Sequence, residues 1–556
     1  MVGAAQPQRP SRRGQSQTIQ TAVPWPLEHL EPSRRAPELC TAGDGPSSAG
    51  TSLVVVVVVS SVSVLHDSLA YFVAQSIYRV FLHPLAKVPG PWHYAITDLF
   101  YARRHAGGNW DPHLKTLHDK YGPAVRYTAN QVSFNSAEAW HTIYGHKTQA
   151  RQTFSKDPFF YTQPDKTTPN IIDANNDDHR RMRRILAHAF SEKAPRGQEE
   201  LVNGYVDLFI QRMGEKAAAA EPINIVLWYN FCTFDLIGAL AFGKPFGMLE
   251  RGVYHPWVAM IFESIRILSY GQLLNRYPFL KPLAALLTPK KLVDSFAENN
   301  RLSRETALQR LHSGDQDRED FMSYILRNNN SDDEKVRARG LSEDEIAENA
   351  IILITAGSET TATQLSGATY MLLMNRDKYD TLVAEIRGAF ASAEEITMNS
   401  VNNLEYLIAV FSESFRMYPP IPIALTRIVP EGGETVGGHY LPAKTVVGVH
   451  QWSSYQCEQN FFEPQRFLPE RWLASVNTTD PRFVNDKRDV LQPFSVGPRN
   501  CIGKNLAYAE MRLILTRLLY SFDLELLPES RDWASQRIYT LWEKGELMIK
   551  ITPAKR

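Results

Sequence analysis

The stretch LSEDEIAENAIILITAGSETTATQLSGATYMLLMN, which begins at Leu341, constrains the fold of this 556-residue chain more than any other. Its apolar residues recur at helical spacing, with Ile346, Ala350, Leu353, Ile354 and Leu365 forming one face. Ser342 and Glu345 stand three apart at its start, the spacing of a capping box. About 33 residues rising 1.5 Å each would run roughly 50 Å, enough to cross a whole domain. A helix of that length is central to whatever packs around it. Midway, Gly357, Ser358, Glu359, Thr360 and Thr361 interrupt the apolar face, and by themselves they read as a helix end followed by a new cap.

Helical patterns dominate elsewhere beyond residue 110, over 179–190, 198–213, 255–270, 376–391, 403–417 and 503–520. Short strand-like pieces fall at 124–134 and 435–449, punctuated by Gly and Pro. The fold class is therefore mostly α with a small β region (α+β). With 44% hydrophobic residues there is apolar material for a large core, and no polar linker divides the chain after about residue 90, so one large unit is expected. Sixty basic and sixty acidic residues cancel without a dominant basic tract, which argues against a nucleic-acid partner. No GxGxxG after a strand and no Walker sequence offers the chain a nucleotide site of its own. Cys40, Cys232, Cys457 and Cys501 are too few and scattered for a disulfide framework, and none forms a CxxC pair; a reducing compartment fits.

Residues 1–50 are rich in Pro, Ser, Gly and Arg and read as a disordered extension. From Leu53 the composition changes abruptly to LVVVVVV and, after His66 and Asp67, to SLAYFVAQSIYRVFL. A buried element of a soluble protein is one reading. A membrane helix over 52–73, of about 20 residues and followed by an aromatic and basic interfacial stretch, is the preferred one. The expected organisation is an extension (1–50), an anchor with its interfacial segment (51–82) and a globular body (83–556).

In PFSVGPRNCIGKNLAYAEMRLILTRLLY, glycines on both sides of Cys501 let the backbone bend around one thiol just before a strongly apolar helix. A thiolate ligates metal, and a position before a helix N-terminus lowers the thiol pKa through the helix dipole. Arg499 adds a positive charge that suits a cofactor carboxylate. An isolated Cys is also commonly just a buried one. In FSESFRMYPP, Glu413 and Arg416 stand three apart, which alone reads as a surface ion pair. In DDHRRMRRILAHAF, His179 and Arg183 share a helical face that alone reads as solvated and basic.

Phe494, Gly497, Arg499, Cys501 and Gly503 within ten residues resemble the haem-binding loop of the cytochrome P450 family. The resemblance extends over about residues 80–552, from YRVFLHPLAKVPGP onward, and looks most like fungal microsomal members that oxidise secondary metabolites, of the isotrichodermin hydroxylase type. It implies the haem-thiolate fold, with heme b held by Cys501 as the metal ligand. Arg499 would meet a propionate, Phe494 would pack beside the sulfur, and Gly503 would let the helix approach the porphyrin. His179, where the family has Trp, together with Arg183 and Arg427, are further implied propionate contacts. Glu359 and Thr360 match the acid–alcohol pair that relays protons, with Glu where many relatives have Asp. Glu413 and Arg416, joined by Arg471 of FLPERW, match a structural triad that supports folding and haem retention. Phe159, Phe160, Ile172, Ile423 and Leu425 fall in substrate-contacting segments, where ordinary core packing is the competing explanation.

The implied reaction is monooxygenation of a small apolar terpenoid or polyketide. The roughly 55 residues after Cys501 are too few for a fused reductase domain. Electrons would come from a separate NADPH-dependent cytochrome P450 reductase, with cytochrome b5 a second candidate donor. A single-pass anchor would hold a cytosolic catalytic domain on the endoplasmic reticulum. The alternatives are a haem-thiolate isomerase or dehydratase acting without dioxygen, and a non-enzymatic haem-binding membrane protein.

Overall fold

The computed structural model describes residues 48–555 except 148–151, 162–165, 191–193, 256–257, 259–268, 288–289, 314–319, 331, 338 and 477. Nearly all of the expected extension, Cys40 and most of the helix expected over 255–270 lie outside the described residues. The chain divides into two compact units, Met1–Ala70 and Tyr71–Arg556. A helix, Ser48–Ile77, covers the whole of 52–73 and runs through His66 and Asp67 without a break. Within the first unit its Val62, Val64, Leu65 and Leu69 are exposed. Among the described residues, Ile225–Phe242 is the one helix long and apolar enough to cross a membrane, but 94% of it is buried within the second unit. That burial makes it a core helix, and its nearly continuous apolar sequence needs no lipid to explain it.

The second unit is built on two long helices in contact, Ile225–Phe242 and Glu343–Met374. The capping box forms as expected: Glu345 N–H donates to Ser342 Oγ, and Ser342 N–H donates to the Glu345 carboxylate. Glu343, Asp344 and Glu345 also set negative charge against the positive end of the helix dipole. The helix is continuous over the helical pattern at 342–375, and the alternative of a helix end near 357–361 does not occur. Ser358 Oγ donates to the Ile354 carbonyl and Thr360 Oγ1 to the Ala356 carbonyl, each at 2.6 Å. Hydroxyls that bond four residues back are satisfied inside the helix, so these polar residues neither cap nor terminate it. Gly357 has a packing role instead, since a Cβ there would lie 2.8 Å from Ile237 Cδ1 of the neighbouring helix.

Three more helices close the core, Arg376–Ala389, Glu405–Met417 and Lys504–Ser521, in agreement with the expected periodicities. Asn176–Leu186 and Ala194–Ala218 account for the patterns at 179–190 and 198–213, the first ending in a 3-10 turn, Ala187–Phe190. The largest sheet has five short strands in the order Ala124–Thr128, Gln131–Phe134, Val446–Val449, Arg427–Ile428 and Ser155–Lys156. Gln131–Phe134 and Val446–Val449 pair in parallel across more than 300 residues of sequence. This sheet brings Lys156 and Arg427 onto adjacent, directly paired positions. Strand content is small, and the fold is mostly helical, as the α+β reading requires.

Candidate active site

The cysteine loop is shaped by its own backbone. The Cys501 N–H donates to the Phe494 carbonyl at 2.8 Å, closing a loop in which Gly497 takes φ +76°. A Cβ on Gly497 would fall 2.1 Å from the Tyr144 carbonyl, so only glycine fits. Helix Lys504–Ser521 starts three residues after the thiol. Burial pushes the Cys501 thiol above its usual value, opposed by the Gly503 N–H and by Arg183 and Lys504. The Cys501 side chain itself is exposed to the cavity, and the Gly503 amide with Arg183 and Lys504 favours the charge a metal ligand carries. Phe494 packs at 5.3 Å from the Phe415 ring and 4.9 Å from Tyr508.

Cys501 opens onto a cavity of about 230 Å³. Four kinds of wall meet there. The cysteine loop supplies Phe494, Arg499 and Gly503; the long helix supplies Leu353, Gly357 and Thr360. Helix Asn176–Leu186 adds His179 and Arg183, and the sheet edge adds Lys156.

Lys156, His179, Arg183 and Arg499 line this space as a cluster of basic groups, while Arg427 does not line it and acts on Lys156, His179 and Arg499 through its charge. His179 is buried, and its pKa falls to about 3, through desolvation first and then the charges of Arg499 and Lys156. It is a neutral imidazole near pH 7. Burial, reinforced by Arg427, takes Arg499 down to about 10, and burial with Arg427 and Arg499 depresses Lys156 as well. Arg499 Nη2 donates to the Ala174 carbonyl at 2.8 Å and to Asn176 Oδ1 at 3.0 Å, while its buried Nη1 has no partner among the described residues. Arg427 Nη1 donates to the Tyr161 hydroxyl at 2.9 Å, and Arg183 Nη1 donates to the Asn500 carbonyl at 2.6 Å, holding the cysteine loop. The basic faces read at 179–184 as solvated are thus split: Arg180 is exposed, whereas His179 and Arg183 turn inward. Mutually repelling buried cations beside an open thiol fit a planar metal group that carries two carboxylates.

Above the cavity, the acid and alcohol diverge. Thr360 lines it, but Glu359 does not. Glu359 is buried with Oε1 at 2.7 Å from Lys544 Nζ, and Lys544 also donates to Thr363 Oγ1 at 2.7 Å. Its Oε2 has no partner among the described residues. A second carboxyl, Glu510 of helix Lys504–Ser521, does line the cavity, beside Thr361. Of the substrate-contact candidates, Ile172 and Leu425 line the cavity, Ile423 and Phe160 belong to core packing, and Phe159 is 49% exposed.

Glu413, Arg416 and Arg471 form one fully buried cluster, as the triad implied by the resemblance requires and unlike the surface pair that the spacing alone suggests. Glu413 accepts from Arg416 Nε at 2.9 Å, Arg471 Nε at 3.2 Å, Trp472 Nε1 at 2.8 Å and the Leu468 N–H at 2.9 Å. Arg416 donates onward to the carbonyls of Tyr455, Pro464 and Arg466, and Arg471 to that of Phe462. Burial alone would raise Glu413, but Arg416, Arg471 and the Leu468 amide together hold it below its ordinary value.

Lys156, Lys544 and Glu510 were not legible as site residues. A lone acid inside the apolar run NLAYAEMRLIL was the available signal for Glu510. Lys156 and Lys544 carried none, because folding across hundreds of residues brings them in.

The family model described as Cytochrome P450 matches residues 88–550. Cytochrome P450 monooxygenase astJ of Aspergillus oryzae is 43% identical over 486 residues, covering 87% of this chain and 95% of that protein. Cytochrome P450 monooxygenase lcsI of Purpureocillium lilacinum is 42% identical over 495 residues, 88% of this chain and 93% of that protein. The trichothecene C-4 hydroxylase of Trichoderma arundinaceum is 41% identical over 495 residues, 88% of this chain and 96% of that protein.

Proposed function

The chain belongs to the cytochrome P450 family, and from that membership we propose a haem-thiolate monooxygenase that hydroxylates a terpenoid or polyketide in fungal secondary metabolism. The observation that carries this reading is the meeting of the Cys501 thiol, the basic cluster and Thr360 on one largely apolar cavity. Cys501 is the metal ligand, and Arg499, Arg183, Arg427 and His179, with Lys156 beside them, hold the propionates. Bound heme b supplies the activation of dioxygen, its thiolate ligand pushing electron density onto the iron. Phe494 and Gly503 shape the protein around the sulfur and the helix that follows. Ile172, Leu353 and Leu425 exclude water and orient an apolar substrate. Thr360 carries a hydroxyl to the cavity, and Glu359 next to it completes the relay that brings protons in.

A separate reductase supplies the electrons, from NADPH, and cytochrome b5 is a second candidate donor. We assign residues 1–50 as an extension, 51–82 as a single-pass endoplasmic reticulum anchor with its interfacial segment, and 83–556 as a cytosolic catalytic body. The apolar helix Ser48–Ile77 supports the anchor. A haem-thiolate isomerase and a non-enzymatic haem protein are disfavoured by relatives named as monooxygenases and a hydroxylase.

The test is turnover of terpenoid and polyketide pools under isotopically heavy dioxygen, with NADPH and reductase. One heavy oxygen atom per product, and no product without NADPH, is expected; product formed without dioxygen or label would overturn the proposal. Run on a chain lacking residues 1–70, the activity should move from the membrane to the soluble fraction, and retention on the membrane would refute the anchor.

A further inference from the structure

The turn at 170–174, in which the Ala174 N–H donates to the Asn170 carbonyl at 2.9 Å, carries two residues of the cavity wall, Ile171 and Ile172. Ile172 is 43% exposed, so burial of its own side chain does not fix it in place. Bonds from other elements hold the turn. Asn349 of the long helix is fully buried, and its Oδ1 accepts from the Ile171 N–H at 2.9 Å. Lys156 donates to the Ile172 carbonyl, and Arg499 Nη2 to the Ala174 carbonyl at 2.8 Å. Lys166 pairs with Asp173 at 2.5 Å and with Glu348, the neighbour of Asn349, at 3.1 Å.

Asn349 differs from the other partners of the turn. Lys156 and Arg499 line the cavity themselves, whereas Asn349 does not. Its Nδ2 donates to the Glu345 carbonyl at 2.7 Å, one turn back on the same helix, and lies 3.8 Å from Met182 Sδ of helix Asn176–Leu186. Those contacts fix the orientation of the amide, with its nitrogen toward the helix and its oxygen toward Ile171. The capped and packed helix makes that oxygen a fixed point for the turn. A buried N–H that loses its acceptor pays the full desolvation penalty, so moving the turn away from Asn349 is opposed by more than an ordinary exposed bond would supply.

We propose that Asn349 is a positioning residue that limits how bulky a molecule the cavity admits, by pinning Ile171 and Ile172 to the wall through the Ile171 N–H. A ligand that fits inside the wall leaves this bond intact. A bulkier one has to displace the turn and strand the Ile171 N–H, and its affinity falls accordingly. Size discrimination therefore depends on a side chain outside the cavity as well as on those that line it. The proposal deepens the haem-thiolate reading of this cavity and rests on it.

Azole binding to the full haem-loaded chain tests this without knowledge of the substrate, because an azole nitrogen on the iron shifts the Soret band. Imidazole is small enough to leave the wall alone, whereas the triaryl group of clotrimazole presses on it. Asn349→Leu keeps the volume and removes the acceptor. It should leave imidazole affinity within about twofold of the parent and raise clotrimazole affinity about tenfold, the order of one buried hydrogen bond that no longer has to be broken. In an Ile172→Ala chain the wall is already cut back, and adding Asn349→Leu should change the ratio of the two affinities by less than about twofold. Hydrogen exchange on the unaltered chain needs no variant: the Ile171 amide should be protected although it lies in a turn. An unchanged affinity ratio in Asn349→Leu, equal shifts of both probes, or fast exchange at Ile171 would overturn the proposal. No Soret shift with imidazole in the unaltered chain would instead strike at the haem-thiolate reading.

Discussion

At the scale of single residues, the site turns on which buried charges are matched. Glu359 was legible from its place beside Thr360, but its partner was not, because Lys544 lies 185 positions further along the sequence. Breaking a buried pair by removing one partner leaves the other charge uncompensated and costs about 3–5 kcal/mol. Lys544→Met should therefore destabilise the protein by that order in chemical denaturation. Adding Glu359→Gln should recover much of the loss, since the stranded charge is then gone. Equal and additive losses in the two single variants would mean that the pair is not coupled. His179 lies on the inward face, and its neutrality follows from desolvation and from Arg499 and Lys156, groups that no local pattern connects to it.

At the scale of elements, the chain's helices were readable where one periodicity ran long enough to dominate. Glu343–Met374 and Lys504–Ser521 fall within a residue or two of expectation. The helix break offered by Gly357–Thr361 as the alternative to one continuous helix does not occur, since hydroxyls that bond back four residues satisfy themselves within the helix. The Glu413–Arg416 spacing likewise has no sign of burial in it; the burial comes from the segment Pro464–Trp472 folding over helix Glu405–Met417. Glu413 carries two arginines and two further N–H donors, so Glu413→Ala should cost at least about 3–5 kcal/mol and sharply reduce the yield of haem-loaded protein. A variant within about 1 kcal/mol of the parent in a denaturation curve would be behaving like a surface pair, and the structural role would be wrong.

At the scale of the whole molecule, the α+β class was legible because composition, helix spacing and the cysteine loop agree with one another. The cavity was not, since it is assembled from stretches of sequence between Lys156 and Met511 that meet only after folding. Its apolar wall limits the substrate to a class and leaves its choice to details of shape. In the proposed function the thiolate of Cys501 unites the parts: the glycine-shaped loop, the basic cluster and the triad would all serve one metal ligand. The most direct test is the carbon monoxide difference spectrum of the reduced, haem-loaded chain beside Cys501→Ser. A strongly red-shifted Soret band in the parent, absent from the variant, is the expected result. A band at the position of histidine ligation in the parent, or the same red-shifted band in both proteins, would contradict the account.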